Sequence, residues 1–185
     1  MTLSTHRRIL PFLAIAVAAG AFGAAGAQVV EVPAARKLEG WPSVQNLSHD
    51  GSVYFAGQPD AVSLRRLARE GVRAVLNVRE PSELEHLGFS EAAVVQEAGM
   101  QYFSIPLTVA SFSTEQVDRL AEVLRQVEGP VLLHCGSSNR AGGLWAAYLA
   151  RHRGVDLDRA IDLGKAAGLS SESMIDAVLR VAAQP

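Results

Sequence analysis

The stretch Pro130-Val-Leu-Leu-His134-Cys135-Gly136-Ser137-Ser138-Asn139-Arg140-Ala141-Gly142-Gly143 carries both a fold and a chemistry. VLLH is a short unbroken apolar run, the pattern of a strand buried on both faces of a parallel sheet. Cys135 ends it, four small or polar residues follow, and Arg140 stands where a helix begins. The backbone N–H groups of such a loop, with the positive end of the following helix, form a cradle for an oxyanion. The same field favours the thiolate form of Cys135. Arg140 can grip two oxygens of a phosphoryl group through its planar fork. Cys135 and Arg140 are therefore candidate catalytic residues, and Gly136, Ser137, Ser138, Asn139 and Arg140 candidate phosphate-binding residues. His134 is placed to hold the strand end or to bond near the sulfur. A buried structural cysteine is the alternative, but a buried run rarely continues into Gly-Ser-Ser-Asn-Arg.

Working outward, strand and helix signals alternate. Val44–Leu47 and Val53–Ala56 flank Ser48-His49-Asp50-Gly51, whose Asp-Gly pair suggests a hairpin or a tight turn. Gly57-Gln58-Pro59 leads to a helix near 61–70 with an apolar face of Val62, Leu64, Leu67 and Ala68. VRAVLNV (72–78) is a strand ending in the loop Arg79-Glu80-Pro81. A helix over 90–98 is closed by Gly99, and MQYFSI (100–105) is the next strand. Pro106–Phe112 is a loop, Ser113 or Thr114 caps a helix bearing Val117, Leu120, Val123, Leu124 and Val127, and VLLH follows. Helices near 141–151, 157–167 and 171–183 complete the chain. The pattern predicts a single α/β domain, a mostly parallel central sheet flanked by helices. Ligands of such sheets sit beyond the carboxyl ends of the strands. Two loops meet that description, Arg79-Glu80-Pro81 and Cys135–Arg140.

The first 27 residues, MTLSTHRRILPFLAIAVAAGAFGAAGA, have the layout of a secretory signal: Arg7 and Arg8, an apolar run from Ile9 to Ala19, and Ala25-Gly26-Ala27 as a cleavage pattern. The reading divides the chain into a signal peptide (1–27), an extended lead-in (28–42) and one domain (43–185). It places the mature protein beyond the inner membrane, in the periplasm. No later stretch is apolar enough to span a bilayer, so no stable membrane insertion is expected after cleavage.

Composition narrows the function classes. The chain has 185 residues, 49% hydrophobic and 19% charged, enough for one core. Seventeen basic residues against 19 acidic ones give a net charge of −2, which argues against nucleic acid as a partner. One cysteine excludes an internal disulfide framework and a cysteine-cluster zinc site. His49, His86 and His152 show no metal spacing, and no cofactor is implied. Trp145 and Tyr148 read as core.

The loop HCGSSNRAG resembles the active-site loop of the cysteine-dependent protein-tyrosine and dual-specificity phosphatase superfamily. The pieces VYFAGQPD, GVRAVLNVRE, FSIPL, STEQVDRLAEVL, PVLLHCGSSNRAGGLWAAY and KAAGL resemble its bacterial beta-lactamase-hydrolase-like and NAD-kinase-fused branch, from about Val44 to Leu169. The resemblance implies a phosphatase fold and hydrolysis of phosphate monoesters, with Cys135 as nucleophile forming a thiophosphate ester. It implies Arg140 as phosphate clamp and backbone amides from Gly136 to Arg140 as cradle. The partner would be a phosphorylated or other oxyanionic substrate. The chain departs from the superfamily in three places. Four residues, not five, separate Cys135 from Arg140, as in the bacterial branch. Ala141 stands where Ser or Thr usually follows the arginine and helps the thiolate leave. Pro106–Phe112 holds no Asp to act as general acid, a function worth about 10²–10⁴-fold. Glu80, Glu83 and Asp118 are the substitutes on offer, or else solvated charges. Arg79 either reaches the anion pocket or pairs with Glu80 or Glu83.

Two rival classes stay open. A loop of this size also serves rhodanese-like sulfurtransferases, in which the cysteine carries a persulfide and no general acid is needed. A phosphatase-like domain lacking acid and hydroxyl can also act as a non-catalytic module that binds an anion or a protein.

Overall fold

The computed structural model describes residues 31–184; the leader read at Met1–Ala27 lies outside the described residues. The elements are β1 (Arg36–Lys37), β2 (Ser48–His49), β3 (Val53–Ala56), α1 (Ala61–Arg69), β4 (Ala74–Asn77), α2 (Pro81–Leu84) and α3 (Glu91–Glu97). They continue with β5 (Gln101–Ser104), α4 (Thr114–Gln126), β6 (Val131–His134), α5 (Asn139–Arg153), α6 (Leu157–Ala166) and α7 (Glu172–Ala182). The sheet runs β1-β2-β3-β6-β4-β5. The four strands β3, β6, β4 and β5 are parallel, and β1 and β2 add an antiparallel edge.

Period-two alternation sorts the central strands between two cores. Val53 and Phe55, Ala74 and Leu76, Val131, Leu133 and Cys135 face one side, packed with α4, α5, α6 and α7. Tyr54 and Ala56, Val75 and Leu132 face the other, packed with α1 and α3. All four residues of β6 are buried, which is why VLLH reads as a continuous apolar run. The same alternation sends Cys135 and its neighbour His134 to opposite faces of the sheet.

The helix starts are set by local chemistry. Asp60, Ser90 and Ser171 accept from the amides of Ser63, Ala93 and Met174, and Ser113 forms a capping box with Gln116.

Several boundaries differ from the expectations. Val44 and Leu47 are buried but lie in irregular backbone outside any strand, and the hairpin pairs Ser48–His49 with Tyr54–Phe55. The turn begins at Asp50, whose carboxylate accepts from the Ser52 and Val53 amides at 2.8 Å and holds it closed. The lead-in is not merely extended: its Arg36 and Lys37 pair with that hairpin as an edge strand. Val62 leaves the predicted apolar face of α1 and is 70% exposed. The loop after β4 turns into the short helix α2 because Pro81 fits a first helical position. Helix α5 begins two residues earlier than expected, at Asn139, which puts Arg140 in its first turn.

Candidate active site

Strands β4 and β6 are parallel neighbours, Asn77 lying beside His134. Their carboxyl ends therefore deliver Arg79 and Cys135 to the same edge of the sheet. Cys135 is 1% exposed, at the base of the loop that joins β6 to α5.

The loop is held from outside by its carbonyls. Gly136 O accepts from the Gln58 amide at 3.2 Å and Ser137 O from Asn46 Nδ2 at 2.9 Å, while Ser138 O takes the first helical bond of α5, from the Gly142 amide at 2.8 Å. In a trans peptide unit the following N–H points opposite to the carbonyl. The Ser137 amide is thereby turned away from Gln58, and the Asn139 amide opens the first turn of α5, while an antiparallel bridge ties Ser137 to Gly57. The first-turn amides of α5 add donors to the loop, because the first N–H groups of a helix lack internal acceptors.

Three positions explain why the surrounding residues are small. A Cβ at Gly57 would lie 2.9 Å from Gly136 O, so only glycine lets the β3–α1 segment run along the loop. A Cβ at Gly142 would meet the Leu169 amide at 2.4 Å. Ser138 is buried in the left-handed region, at φ 76°, and its hydroxyl donates to Ala167 O at 2.7 Å. That bond brings it against Gly168, where a Cβ would sit 2.5 Å from the serine Cβ.

Arg140 is clamped from one side. Its Nη1 donates to Glu83 Oε2 at 2.8 Å and to Leu107 O at 3.1 Å, and its Nη2 donates to Glu83 Oε1 at 2.7 Å. Hydrogen bonds from Arg140 hold the Glu83 carboxyl at about 2, against the burial that pushes it up. The same pairing raises the Arg140 guanidinium, aided by the neighbouring Cys135. Glu83 also receives Arg79, whose Nε lies 3.3 Å from Oε1. Arg79 thus pairs with Glu83 rather than Glu80, and its Nη1 donates to Gln58 Oε1 at 2.6 Å.

His134 faces away from the cradle. Its Nδ1 is 3.4 Å from Cys135 O, and its Nε2 is 3.2 Å from Glu91 Oε1, off the line a hydrogen bond requires. Glu91 is 4% exposed and accepts from Gln58 Nε2 at 2.7 Å, Asn77 Nδ2 at 2.6 Å and Tyr102 Oη at 3.2 Å. Burial pushes its carboxyl up, but His134, Gln58 and Asn77 together hold it below the usual carboxylate range. Burial and the Glu91 charge push the Tyr102 hydroxyl to about 12.

The structure thus brings Cys135, Gly136, Ser137 and Arg140 together at the turn from β6 into α5 and leaves three candidates outside it by side chain, Ser138 among them with its hydroxyl on Ala167 O. His134 points into the opposite layer. The Asn139 side chain turns to the α6–α7 connection, accepting from the Ser170 and Ser171 amides at 2.8 and 3.0 Å. Asn139 contributes only its amide to the cradle. Asp118 bonds Arg151 and His152 on the α4–α5 surface, and Trp145 stacks on Tyr148 beside Phe55 in the core. Pro106–Phe112 reaches the site through Leu107 O alone among the described contacts of Arg140. Glu91 escapes sequence reading because a carboxylate following Ser90 looks like an ordinary first-turn charge; Asn46 carries no signal at all.

Comparison with known proteins gives the same outline. The family model for the beta-lactamase hydrolase-like protein, phosphatase-like domain, matches residues 44–151. A beta-lactamase hydrolase-like protein of Xylella fastidiosa is 30% identical over 94 residues, 50% of this chain but only 22% of that relative. The chain thus spans about a fifth of the length of that relative. The dual specificity protein phosphatase TpbA of Pseudomonas aeruginosa is 28% identical over 180 residues, covering 90% of this chain and 78% of that protein. Its crystal structure superposes with a TM-score of 0.63 at 24% identity, covering 80% of this chain and 88% of that one. A further crystal structure shows a cysteine-to-serine form of TpbA in complex with pTyr, at the same TM-score and 23% identity, with 80% and 88% coverage.

Proposed function

Since the chain belongs to the beta-lactamase hydrolase-like protein, phosphatase-like domain family, within the cysteine-dependent phosphatase superfamily, we propose that it hydrolyses phosphate monoesters through Cys135 after export to the periplasm. The observation that carries the reading is the loop between β6 and α5, pinned through Gly136 O and Ser137 O by Gln58 and Asn46, with Cys135 at its base and Arg140 in the first turn of the helix beside it. Export rests on the layout of Met1–Ala27.

In the first step the Cys135 Sγ attacks phosphorus, and the P–O bond to the leaving group breaks with its electron pair going to oxygen. The loop amides and Arg140 hold the three equatorial oxygens as charge develops on them. In the second step water attacks the thiophosphate, the P–S bond breaks, the pair returns to sulfur and inorganic phosphate leaves. Proton donation is the weak part of the site. Glu83, held at about 2, is ionised at neutral pH, and Asp118 is engaged by Arg151 and His152. Substrates whose leaving oxygen needs little protonation, such as aryl phosphates, therefore suit this site best. The pTyr bound to TpbA is of that kind.

The loop Pro106–Phe112, without a carboxylate, favours one other reading, sulfur transfer through a Cys135 persulfide, which needs no general acid. The test sets residues 28–185 beside Cys135→Ser in two assays, hydrolysis of an aryl phosphate and sulfur transfer from thiosulfate to cyanide. Phosphate release that disappears in the serine variant is expected. Thiocyanate release that depends on Cys135 moves the protein to sulfur transfer, and silence in both leaves an anion-binding module.

A further inference from the structure

The two short motifs outside the loop, Gly57-Gln58-Pro59 and Asn77-Val78-Arg79-Glu80, have no role in the chemistry above, yet their side chains meet behind it. Gln58 stands at the junction. Its amide holds Gly136 O at 3.2 Å, its Nε2 donates to Glu91 Oε1 at 2.7 Å, and its Oε1 accepts from Arg79 Nη1 at 2.6 Å. Glu91 faces His134 at 3.2 Å, and Arg79 runs on to Glu83 and so to Arg140. Contacts therefore follow one another without a gap from His134, before the nucleophile, through Glu91, Gln58, Arg79 and Glu83 to Arg140, at the far end of the anion loop. The chain is polar inside a layer otherwise filled by Tyr54, Val75, Val94, Val95 and Leu132. Buried polar groups are expensive unless each has partners, and from Glu91 to Arg140 each link supplies a hydrogen-bond partner of the next, whereas His134 Nε2 only lies near Glu91.

We propose that Gln58 and Glu91 are positioning residues: they form, with Arg79 and Glu83, a brace that fixes both ends of the Cys135–Arg140 loop in its anion-binding shape. The brace deepens the phosphatase reading and rests on it. Gln58 meets three parts: its backbone amide holds the loop, and its side chain joins the buried carboxylate under His134 to the arginine that steers Glu83. Asn77 and Tyr102 secure Glu91 from the far side at 2.6 and 3.2 Å, so that its orientation is set even when Gln58 is changed. Removing Gln58 leaves Glu91 in place but uncouples it from Arg79, and Arg140 loses the far support of its partner Glu83.

The test separates positioning from stability by using inorganic phosphate as the probe. Ligand that binds only the folded state raises the melting temperature by an amount set by its concentration and Kd. A residue that serves folding alone lowers the melting temperature but leaves the phosphate-induced increment intact. Gln58→Met keeps the volume and removes all three side-chain bonds, the one to Pro59 O at 3.1 Å included, while the backbone amide keeps Gly136 O; the apparent Kd for phosphate is expected to weaken by about tenfold or more, the size of one lost charge-assisted bond. Gln58→Glu alone sets two carboxylates against each other and is expected to do worse. The exchange Gln58→Glu with Glu91→Gln restores an acceptor for Arg79 and an amide donor between the two positions, and is expected to recover most of the binding. A Kd unchanged within about twofold in Gln58→Met, or no recovery in a folded exchange variant, overturns the brace. A wild-type chain that neither gains stability with phosphate nor hydrolyses an aryl phosphate overturns the phosphatase reading itself, and the brace with it.

Discussion

Glu83 and Arg140 share a two-pronged ion pair at 2.7 and 2.8 Å across 57 residues of sequence. A guanidinium has five N–H donors. Two of Arg140's go to Glu83 and one to Leu107 O, which leaves Nε–H and one Nη2–H for an anion above Cys135. The carboxylate thus holds one edge of the fork and presents the other. A flexible arginine would lose rotamer freedom each time substrate bound; here that loss is taken at folding.

The pair should be visible in acid. Glu83 sits at about 2 in the folded chain against 4.5 for an ordinary glutamate. A depressed folded pKa contributes stability that is complete above the unfolded value and lost as pH falls through the folded one. The wild-type chain should therefore lose this contribution between about pH 4.5 and pH 2. Glu83 is partly exposed, so the amount is about 1 kcal/mol or less. Urea unfolding at several pH values in that window, wild type beside Glu83→Gln, should show the difference between the two shrinking as pH drops. A constant gap would mean that the ion pair contributes nothing to folding.

Arg140→Lys keeps the charge and removes the fork. A lysine cannot serve Glu83 with two N–H bonds and an anion with two more. Phosphate affinity should fall by about tenfold or more, while the melting temperature without phosphate drops only modestly. Titration of both proteins with phosphate decides it; equal affinities would remove Arg140 from the role of clamp.

These residues also show what a sequence displays and what it conceals. The alternation of strands and helices along the chain, the buried character of β6 and the place of Cys135 at its end are legible because they are written as local patterns: an apolar run, a small-residue loop, a following helix. The hairpin lies a few residues further on because Val44 and Leu47 are buried from irregular backbone, and burial alone does not distinguish that from a strand. Val62 was misassigned for a related reason, since a helical face can extend past the edge of what covers it. The brace was hidden for a different reason. Gln58, Arg79 and Glu91 lie on three separate segments, and only the parallel register of β3, β6 and β4 brings their ends together. Glu83 stood among three equivalent carboxylates until its distance to Arg140 separated it from Glu80 and Asp118.

Ser138 and Gly168 make a prediction about stability. The serine's positive φ is tolerated because its hydroxyl reaches Ala167 O, and the approach is possible because residue 168 has no side chain. Gly168 itself has φ +109°. Gly168→Ala combines an unfavourable backbone angle with a 2.5 Å clash and should cost about 2–4 kcal/mol, lowering Tm by roughly 5–15 °C. Ser138→Gly in the same chain removes the struck atoms and should return part of the loss. Calorimetry on the single and double variants tests it, and additive effects would mean that the two residues are not in contact.

Ala141 makes the last prediction, about turnover. It is fully buried in the first turn of α5, directly after Arg140, at the position where the superfamily pattern places a hydroxyl. A hydroxyl there would stabilise the sulfur as it leaves phosphorus, and one hydrogen bond to a charged atom is worth about 1.5–3 kcal/mol. Breakdown of the phosphocysteine should therefore be slow in this chain, with a burst of aryl product ahead of a slower steady rate. Ala141→Ser adds one oxygen and should raise the steady rate by roughly tenfold or more while leaving the burst amplitude near one per Cys135. Rapid-mixing kinetics with an aryl phosphate reads both quantities. A steady rate unchanged by Ala141→Ser, with the burst absent in both, would show that attack by Cys135 and not release of sulfur limits the reaction, and would return attention to the carboxylate that Pro106–Phe112 lacks.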